Sequence, residues 1–319
     1  MKTKRPLRRK RFILTTVTLC TLLAGGVLYR LADRYLIEHV EVVVTALETA
    51  AKSTAASEPN QADTSASSVK SDDWNYSSDD LTISIKQVST GSGSDRITYY
   101  AADVKTSDAS LLQSAFAKNK FGRNIVEATS GIAADHQAIF AINGDYYGFR
   151  GDGVIIRNGT LYRNEPARDA VAFYKDGTMA SYDEQKVSAQ TLLDDGVLHT
   201  LSFGPALIKN GQLAQDFNNV KIDTNFGNRS ISNANPRTGI GMIAPNHYVF
   251  VVVDGRQSDS RGMTLNEFAQ LFADLGAKEA YNLDGGGSST MYFKGRVVNN
   301  PQGKQEERGV SDILYLGEG

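Results

Sequence analysis

The stretch Asn282-Leu283-Asp284-Gly285-Gly286-Gly287-Ser288-Ser289-Thr290-Met291 organises this chain. Strand-like residues precede and follow it, so we expect a strand to run into a loop and out again. Three consecutive glycines are costly in a plain turn, because glycine loses more backbone freedom on folding than any other residue. They do allow a ligand to lie directly on the backbone, with amide groups directed at an anion or a sugar oxygen. A flexible polar turn is the alternative interpretation.

The N-terminus combines a basic cluster with an apolar run. Residues 1–11 contain seven Lys or Arg and no acid, although the whole chain has a formal net charge of −2. Residues 12–29 hold no charged side chain. This length is close to the minimum for crossing a bilayer, and flanking positive charge favours the cytoplasmic side. The sequence predicts a basic cytoplasmic tail at 1–11, a single-pass signal anchor in the cell membrane at 12–29, and an extracytoplasmic remainder.

A cleaved signal peptide is the competing interpretation, because Ala24-Gly25-Gly26 is a weak small-residue cleavage site. The apolar run continues through Val27, Leu28 and Tyr29, which favours an uncleaved anchor. Cys20 is the single cysteine and lies inside this segment. The exported part therefore has no disulfide, no thiol nucleophile and no cysteine-ligated zinc. Because the rest of the chain is acidic, nucleic acid is not expected as a partner.

Two segments separate the anchor from the folded domain. Apolar residues at near-helical spacing from Leu31 to Leu47 predict a helical stem at 30–48. Residues 49–73 are mostly Ala, Ser, Thr, Lys, Asp and Gln, which cannot bury enough apolar surface to fold. We expect a flexible linker there. The domain is predicted to extend over 74–319.

Strand patterns dominate the domain. Ala138–Ile142 is a continuous apolar run typical of a strand buried on both faces. Thr264-Leu265-Asn266-Glu267 is a capping box before an amphipathic helix. Tight hairpins are predicted at Asn158-Gly159, Asp176-Gly177 and Asn210-Gly211. We predict a mixed α+β fold, a strand-rich single domain with a few helices packed on a twisted sheet, preceded by an N-terminal transmembrane helix.

Three aspartates, Asp145, Asp254 and Asp284, each follow a strand-like run. Because strand ends converge on one rim of a sheet, these loops are expected to meet. Two carboxylates flanking the scissile bond are what glycoside cleavage needs, one to protonate the leaving oxygen and one to attack the sugar or activate water. Each aspartate alone is equally a turn former. Arg237 is equally suited to a bidentate phosphate contact and to a structural salt bridge.

Five motifs follow one another in a fixed order: Asn143-Gly-Asp-Tyr-Tyr, Gly204-Pro-Ala-Leu, Asn235-Pro-Arg-Thr-Gly-Ile-Gly, Val253-Asp-Gly-Arg and Asn282-Leu-Asp-Gly-Gly-Gly-Ser-Ser-Thr-Met. Together they resemble the phosphodiester glycosidase family over about Leu81 to Leu316. Arg308-Gly-Val-Ser-Asp resembles the closing motif of that family. The mammalian member removes an N-acetylglucosamine that is α-linked to phosphate, and bacterial members are associated with exopolysaccharides.

The resemblance implies a membrane-tethered glycosidase that hydrolyses a sugar-1-phosphate diester in a cell-envelope glycopolymer or exopolysaccharide. It implies Asp284, Asp145 and Asp254 as catalytic residues. The implied substrate-binding residues are Asn143, Tyr146, Gly204, Arg237, Thr238, Arg256, Gly285, Gly286, Gly287, Ser288, Ser289, Thr290 and Arg308. The rings of Tyr146 and Tyr147 are expected to desolvate Asp145 and raise its pKa, which suits a general acid.

Two other functions stay as alternatives. One is a carbohydrate-binding or exopolysaccharide-assembly module without turnover, and the other is a hydrolase of another class, such as a phosphodiesterase that cuts the P–O bond. The sequence requires no cofactor, but aspartate oxygens suit Ca²⁺ or Mg²⁺, so a divalent cation with unknown ligands is left open. His136, His199 and His247 show no metal-binding spacing and are expected to be ordinary surface residues.

Overall fold

The computed structural model describes residues 5–44, 69–214, 217, 220, 231 and 233–317. The helices in these ranges are α1 Arg5–Tyr35, α2 Thr129–Asp135, α3 Ala189–Asp194 and α4 Leu265–Asp274. The strands are β1 His39–Val43, β2 Lys70–Ser71, β3 Asn75–Ser77, β4 Leu81–Thr90, β5 Ile97–Thr106, β6 Leu112–Phe116, β7 Lys120–Arg123, β8 Ala138–Asn143, β9 Gly153–Arg157, β10 Thr160–Glu165, β11 Asp169–Tyr174, β12 Met179–Asp183, β13 Val197–Leu201, β14 Ala206–Lys209, β15 Gln212–Leu213, β16 Arg237–Ala244, β17 His247–Val253, β18 Glu279–Asn282, β19 Met291–Phe293, β20 Arg296–Val297 and β21 Asp312–Gly317.

Two sheets form the centre of the domain. The larger has nine strands in the order β15-β14-β18-β16-β17-β5-β4-β3-β2, and the smaller has five in the order β20-β19-β8-β21-β6. The central pairs of both sheets are antiparallel. Smaller sheets, β12-β11-β13, β10-β9 and β1-β7, are added around them. The predicted strand-rich α+β class is confirmed.

The core lies between the two large sheets. Phe140 of β8 meets Phe250 of β17 edge to face, with ring centroids 5.1 Å apart. Helix α4 packs Phe268 and Phe272 on the opposite face of the nine-stranded sheet. A Cβ on Gly239 of β16 would lie 2.8 Å from the Phe268 ring, so glycine there is what lets α4 approach the sheet. Helix α2 covers the outer face of the five-stranded sheet.

The sequence signals of single elements are confirmed. Strand β8 is buried along its whole length, as its continuous apolar run predicts. The three predicted hairpins are β9–β10, β11–β12 and β14–β15. Asn158 and Gly159 both have positive φ, which a tight two-residue hairpin turn requires. Thr264 and Glu267 form the reciprocal capping box at the start of α4.

Register places several loops on one rim. Arg237, the first residue of β16, pairs with Val253, the last of β17. Gly239 of the same strand pairs with Asn282, the last residue of β18. In the other sheet, Ile313 pairs with Asn143, the last residue of β8. The loops that carry the predicted aspartates therefore leave the sheets close to one another.

The N-terminal segment differs from its prediction. Helix α1 contains one stretch, Leu14–Tyr35, that is long and apolar enough to cross a membrane, a test that a signal sequence also passes. The helical stem predicted at 30–48 is wrong beyond Tyr35, because β1 pairs antiparallel with β7 of the domain. Val42 of β1 and Val44, which follows the strand, pack inward beside Phe121, and β-branched residues favour the strand state.

The predicted boundary between linker and domain also shifts. Lys70–Ser71 forms β2, which pairs with β3 and extends the nine-stranded sheet. The folded domain therefore begins before residue 74, inside the segment predicted as linker. Positions 45–68, which hold the rest of that linker and the end of the predicted stem, lie outside the described residues.

Candidate active site

The glycine loop, residues 284–290, lies against the turn at Pro236. The amide of Gly286 donates to the carbonyl of Pro236 at 3.0 Å. A Cβ on Gly285 would stand only 2.8 Å from the same carbonyl oxygen. Gly286 has a φ of +66°, in the region that favours glycine. The loop needs glycine for this close approach, and its three glycines stay partly exposed, as a binding floor must be.

Two exposed guanidinium groups flank this floor. A Cβ on Gly287 would lie 3.3 Å from Cδ of Arg308, and one on Gly286 would lie 3.3 Å from Nη1 of Arg256. The Arg256 side chain is held by the side-chain oxygen of Asn235, 2.6 Å from Nη2. The glycine loop therefore lies between two positive charges, which is an arrangement suited to an anion.

Asp284 lies at the start of this loop with its side chain about one-tenth exposed. The hydroxyl of Ser288 donates to its Oδ2 at 2.7 Å, and Nη2 of Arg308 is 3.2 Å from the same oxygen. Nε of Arg308 also donates to the Ser288 hydroxyl at 3.0 Å. Burial raises the pKa of Asp284 above its ordinary value, although Arg308 and Ser288 oppose that shift.

Asn143 joins the glycine loop to both sheets. Its side-chain amide donates to the carbonyl of Asp284 at 2.7 Å. Its Oδ1 accepts from the hydroxyl of Thr238 at 2.8 Å and from the amide of Thr290 at 3.2 Å. All of these groups are buried. The structure thus brings together four predicted site residues, of which Asn143, Thr238 and Thr290 set the position of the loop beneath its exposed surface.

Asp254 is linked to the glycine loop through the side chain of Asn299. Nδ2 of Asn299 donates both to Oδ1 of Asp254 at 3.0 Å and to the carbonyl of Ser289 at 2.9 Å. The amide of Asn300 donates to Oδ1 at 3.1 Å. Burial raises the pKa of Asp254, while the bonds from Asn299 and Asn300 act against it. Asp254 is therefore a second carboxyl group beside the glycine loop.

Asp145 does not have the environment that its sequence context predicts. Its side chain is fully buried, 3.0 Å from Nη2 of Arg150 and 3.8 Å from Nη2 of Arg157. The amide of Ser202 donates to Oδ2 at 2.7 Å. Burial acts to raise the pKa of Asp145, but Arg150, Arg157 and two amide donors outweigh it and lower the pKa. The expected raised pKa is wrong, because charge pairing wins over desolvation by the tyrosines.

Asp312 and Arg157 complete this buried charge cluster and escaped the sequence analysis. Nε of Arg157 donates to Oδ2 of Asp312 at 2.8 Å, and Oδ1 of Asp312 accepts the amide of Asp145 at 2.8 Å. Burial, with the neighbouring Asp145 charge, raises the pKa of Asp312 to about 6 despite Arg157. A Cβ on Gly144 would lie 2.4 Å from Oδ1 of Asp312. The one available signal was that Asp312 ends the closing motif; Arg157 carried none.

Comparison with known proteins identifies the family. The sequence model of the phosphodiester glycosidase family matches residues 136–316, which include the glycine loop, both flanking arginines and the buried charge cluster. The chain belongs to this family.

Two curated relatives resemble parts of the chain. A prophage-derived uncharacterized protein YomE of Bacillus subtilis is 30% identical over 69% of this chain and 36% of its own length. The N-acetylglucosamine-1-phosphodiester alpha-N-acetylglucosaminidase of Bos taurus is 31% identical over 39% of this chain and 24% of its own. The chain thus spans roughly a third or less of each relative's length.

Solved structures support the fold. The catalytic domain of the zebrafish N-acetylglucosamine-1-phosphodiester alpha-N-acetylglucosaminidase, auto-inhibited by its pro-peptide, has a TM-score of 0.57 at 21% identity, covering 75% of this chain and 84% of that one. A hypothetical protein from Synechocystis has a TM-score of 0.53 at 15% identity, covering 74% and 62%.

The remaining predicted site residues of this member of the family surround the loop. Arg237 is buried; its Nε donates to the carbonyl of Met263 at 2.9 Å and its Nη2 to that of Asn233 at 2.7 Å. Burial lowers its pKa to about 10. Arg237 therefore stabilises the main chain at the rim of the nine-stranded sheet by these hydrogen bonds. A phosphate contact for Arg237 stays a prediction.

Gly204 and Tyr146 lie on neighbouring loops. The carbonyl of Gly204 accepts from the side chain of Asn282 at 2.8 Å, which ties its loop to the end of β18. Tyr146 is half-buried and stacks on Phe149, with ring centroids 4.8 Å apart. The Ser289 and Thr290 hydroxyls are buried, with no hydrogen-bond partner within the described residues.

The histidines take no part in this site. His199, expected at the surface, is buried; its Nε2 lies 2.9 Å from the carbonyl of Leu112, and burial lowers its pKa to about 4. Within the described residues, no three His, Cys, Asp or Glu side chains are grouped as metal ligands. The role of a divalent cation stays untested.

Proposed function

We propose that this protein is a membrane-tethered, extracytoplasmic glycosidase that hydrolyses the bond between a sugar and the phosphate of a sugar-1-phosphate diester. The observation that carries the proposal is the convergence of the Asp284 carboxyl group and two guanidinium groups on a glycine floor. Guanidinium forks match phosphate oxygens, and a carboxylate is the group that acts on an anomeric carbon. One site thus offers complementary groups to both halves of the diester.

The roles of the residues follow from their surroundings. Asp284 acts as nucleophile or as the base that activates water, because its largely buried side chain keeps about one-tenth of its surface open beside the glycine floor. Arg256 and Arg308 bind the phosphate and stabilise the negative charge that it gains as it leaves. A phosphate is a better leaving group than an alcohol, so little proton donation is needed. Asp254, rather than Asp145, is the second carboxyl group available for it.

Asp145 has a positioning role in this proposal. Its carboxylate is fully buried against Arg150 and Arg157, so neither a sugar nor a water reaches it in this geometry. The cluster fixes Gly144 and therefore the end of β8, where Asn143 holds the carbonyl of Asp284. Asp145 acts on the reaction through the position of Asn143.

The substrate class is proposed from the relatives and from the predicted location. The bovine and zebrafish relatives are named for an N-acetylglucosamine-1-phosphodiester, so a GlcNAc-1-phosphodiester is the first substrate to test. An anchored domain outside the cytoplasm would meet such bonds in a cell-envelope glycopolymer or exopolysaccharide. The membrane anchor itself is supported by the length and composition of Leu14–Tyr35.

The test is hydrolysis of a synthetic GlcNAc-α-1-phosphodiester in ¹⁸O-labelled water. Glycosidic cleavage breaks the bond between C1 and oxygen, so the label enters the released sugar and the phosphate monoester stays unlabelled. Label in the phosphate would show a phosphodiesterase that cuts the P–O bond. Binding of the diester without any product would show a carbohydrate-binding module. Either result would contradict the proposal.

A further inference from the structure

The junction between α1 and the domain is rigid. Nδ2 of Asn124 donates to the carbonyls of Ile37 at 2.9 Å and Asp33 at 3.2 Å, and so closes the end of the helix. Nζ of Lys118 is 2.5 Å from the carboxylate of Glu38. A Cβ on Gly122 of β7 would overlap the carbonyl of His39, so this position accepts the paired strand only as glycine. The helix is therefore joined to the domain by a built interface.

An exposed apolar surface lies at this junction. Leu36, Ile37, Val40 and Val43, here called the β1 patch, are 78%, 40%, 46% and 46% exposed. Leu36 and Ile37 lie in the turn after α1, and Val40 and Val43 are the exposed valines of β1. Val42 of β1 and Val44, which follows the strand, pack into the domain. Four large apolar side chains exposed within eight consecutive residues indicate an interaction surface.

The position of the β1 patch along the chain selects a lipid bilayer as its partner. The uncharged part of α1 ends at Tyr29, and Leu36 follows seven residues later, about 10 Å along a helix axis. That distance slightly exceeds the headgroup region, which is roughly 5–8 Å thick on each side of the hydrocarbon core, so a tilt of α1 brings Leu36 to the outer part of this region. Tyr29 and Tyr35 are both exposed, and tyrosine is enriched at this depth.

Charge around the patch fits phospholipid headgroups. Arg30 and Arg34 lie in the last turns of α1, and Lys118, Lys120 and Arg123 lie on or beside β7. The acids nearby are Asp33, Glu38, Glu41 and Glu127. Asp33 is 3.3 Å from His39, Glu38 is paired with Lys118, and Glu127 accepts from the amide of Lys118. Basic residues are therefore in excess, and an anionic surface attracts such a cluster.

We propose that the β1 patch docks on the anionic phospholipid bilayer that holds α1, so that the catalytic domain sits on the membrane in one fixed orientation. This rests on the anchored form of the proposed function. The domain is held at the surface by the Asn124 cap and the β1–β7 pair, and the patch enters the headgroup layer. The glycosidase then works on substrate next to the membrane.

The experiment uses full-length protein with Cys20→Ser, reconstituted in vesicles of phosphatidylcholine and phosphatidylglycerol. Single cysteines at Leu22→Cys, Val40→Cys and Gln190→Cys carry a bimane fluorophore. Spin-labelled lipids in the vesicles quench probes that lie in the bilayer, and aqueous iodide quenches probes that lie in water. Leu22 reports the anchor, Val40 reports the patch, and exposed Gln190 in α3 is the control.

Docking predicts that the probes at Leu22 and Val40 are quenched by the lipids and protected from iodide, while the probe at Gln190 behaves in the opposite way. Val43→Asp should restore iodide quenching at Val40 and leave Leu22 quenched by lipid.

A Val40 probe open to iodide, with Leu22 still quenched by lipid, would overturn docking and keep the anchor. A Leu22 probe open to iodide would overturn both. Protection of Val40 without lipid quenching would mean that a second copy covers the patch, which also overturns the proposal.

Discussion

At the scale of single residues, three neighbouring carboxyl groups behave differently because their surroundings differ. Asp284 is largely buried, with about one-tenth of its side chain exposed, and its Oδ2 accepts from one hydroxyl and one guanidinium group. Asp145 has no exposed side-chain surface and is held by two arginines. Asp312 shares Arg157 with Asp145, and burial beside that second carboxylate raises its pKa to about 6. The small exposed fraction of the Asp284 side chain distinguishes it from Asp145 and Asp312, whose side chains are fully enclosed and paired with arginines.

Replacing Asp145 tests this separation. Asp145→Asn leaves Arg150 and Arg157 buried with one carboxylate fewer, and removing one member of a buried ion pair costs about 3–5 kcal/mol. We expect the free energy of unfolding, measured in urea, to fall by that amount. Asp135→Asn, an exposed change on α2, is the matched control and should leave stability unchanged. Normal stability for Asp145→Asn would show that the cluster is not structural.

The raised pKa of Asp284 predicts where activity falls on the acid side of the pH profile. Its pKa lies above the ordinary 3.8, and only the ionised form can attack or act as base. Activity therefore falls as pH drops through this raised pKa, so the midpoint of the acid limb of kcat/KM lies above 3.8. Ser288→Ala removes a hydrogen bond that favours the ionised form, and should move the midpoint further up. Exposed Ser110→Ala should not move it. A lower midpoint in Ser288→Ala would contradict the role of Asp284.

At the scale of elements, the glycine loop depends on backbone contact. Gly285→Ala would force its Cβ against the carbonyl of Pro236, 2.8 Å away, so the loop must shift from the rim. We expect kcat/KM to fall by at least tenfold, because small displacements of positioning groups have effects of this order. Gly151→Ala is the control, since nothing lies within 4 Å of its Cβ. Equal activity of the two variants would show that the close approach is unimportant.

A second prediction at this scale concerns the packing of β1 on the domain. Val42 packs toward Phe121 and Val44, whereas Val43 is exposed on the opposite face. Val42→Asp places a charge in this packed cluster and should lower the free energy of unfolding in detergent by roughly 1–3 kcal/mol. Val43→Asp should leave it nearly unchanged. Thermal unfolding of the two variants side by side measures the difference, and equal melting temperatures would show that β1 does not pack on the domain.

These elements show which features a sequence can reveal. The hairpins, the capping box and buried strand β8 were predictable because their signals are local, such as the positive φ that Asn158-Gly159 supplies. The glycine loop was predictable because three glycines are unfavourable without a ligand or a close contact. The state of β1 depends on β7, about 80 residues later, and its valines fit either a helical or a strand pattern.

Predicting the surroundings of the carboxyl groups also requires tertiary contacts that the local sequence does not reveal. Asp312 reaches Asp145 across 167 residues, and the Asp145 environment is decided by Arg150 and Arg157. The sequence signal at Asp145 was the adjacent pair of tyrosines, which predicts a raised pKa. The pKa is lowered instead, because two charges that the sequence does not place beside the carboxyl group outweigh desolvation. The local sequence pattern identified the candidate aspartates, whereas tertiary contacts determine the pKa and the role of each.

At the scale of the whole molecule, two sheets and the helices on their outer faces form a rigid support with the glycine loop at one rim. The family match covers this support from 136 to 316. β1 joins the support to α1, so the candidate site and the β1 patch, the proposed membrane-docking surface, belong to one body. In the proposed function, one carboxylate on the loop, that of Asp284, carries the chemistry of this body.

The most direct measurement is the rate of sugar release from a GlcNAc-1-phosphodiester by Asp284→Asn. Loss of a nucleophile or base should lower kcat by about 10³-fold or more. The melting temperature should stay within a few degrees of the parent protein, because the side-chain oxygen of asparagine can accept the hydrogen bonds from Ser288 and Arg308 that Oδ2 of Asp284 accepts. Exposed Asp135→Asn should keep full activity. If folded Asp284→Asn released sugar at close to the parent rate, the glycine loop would not be the catalytic centre.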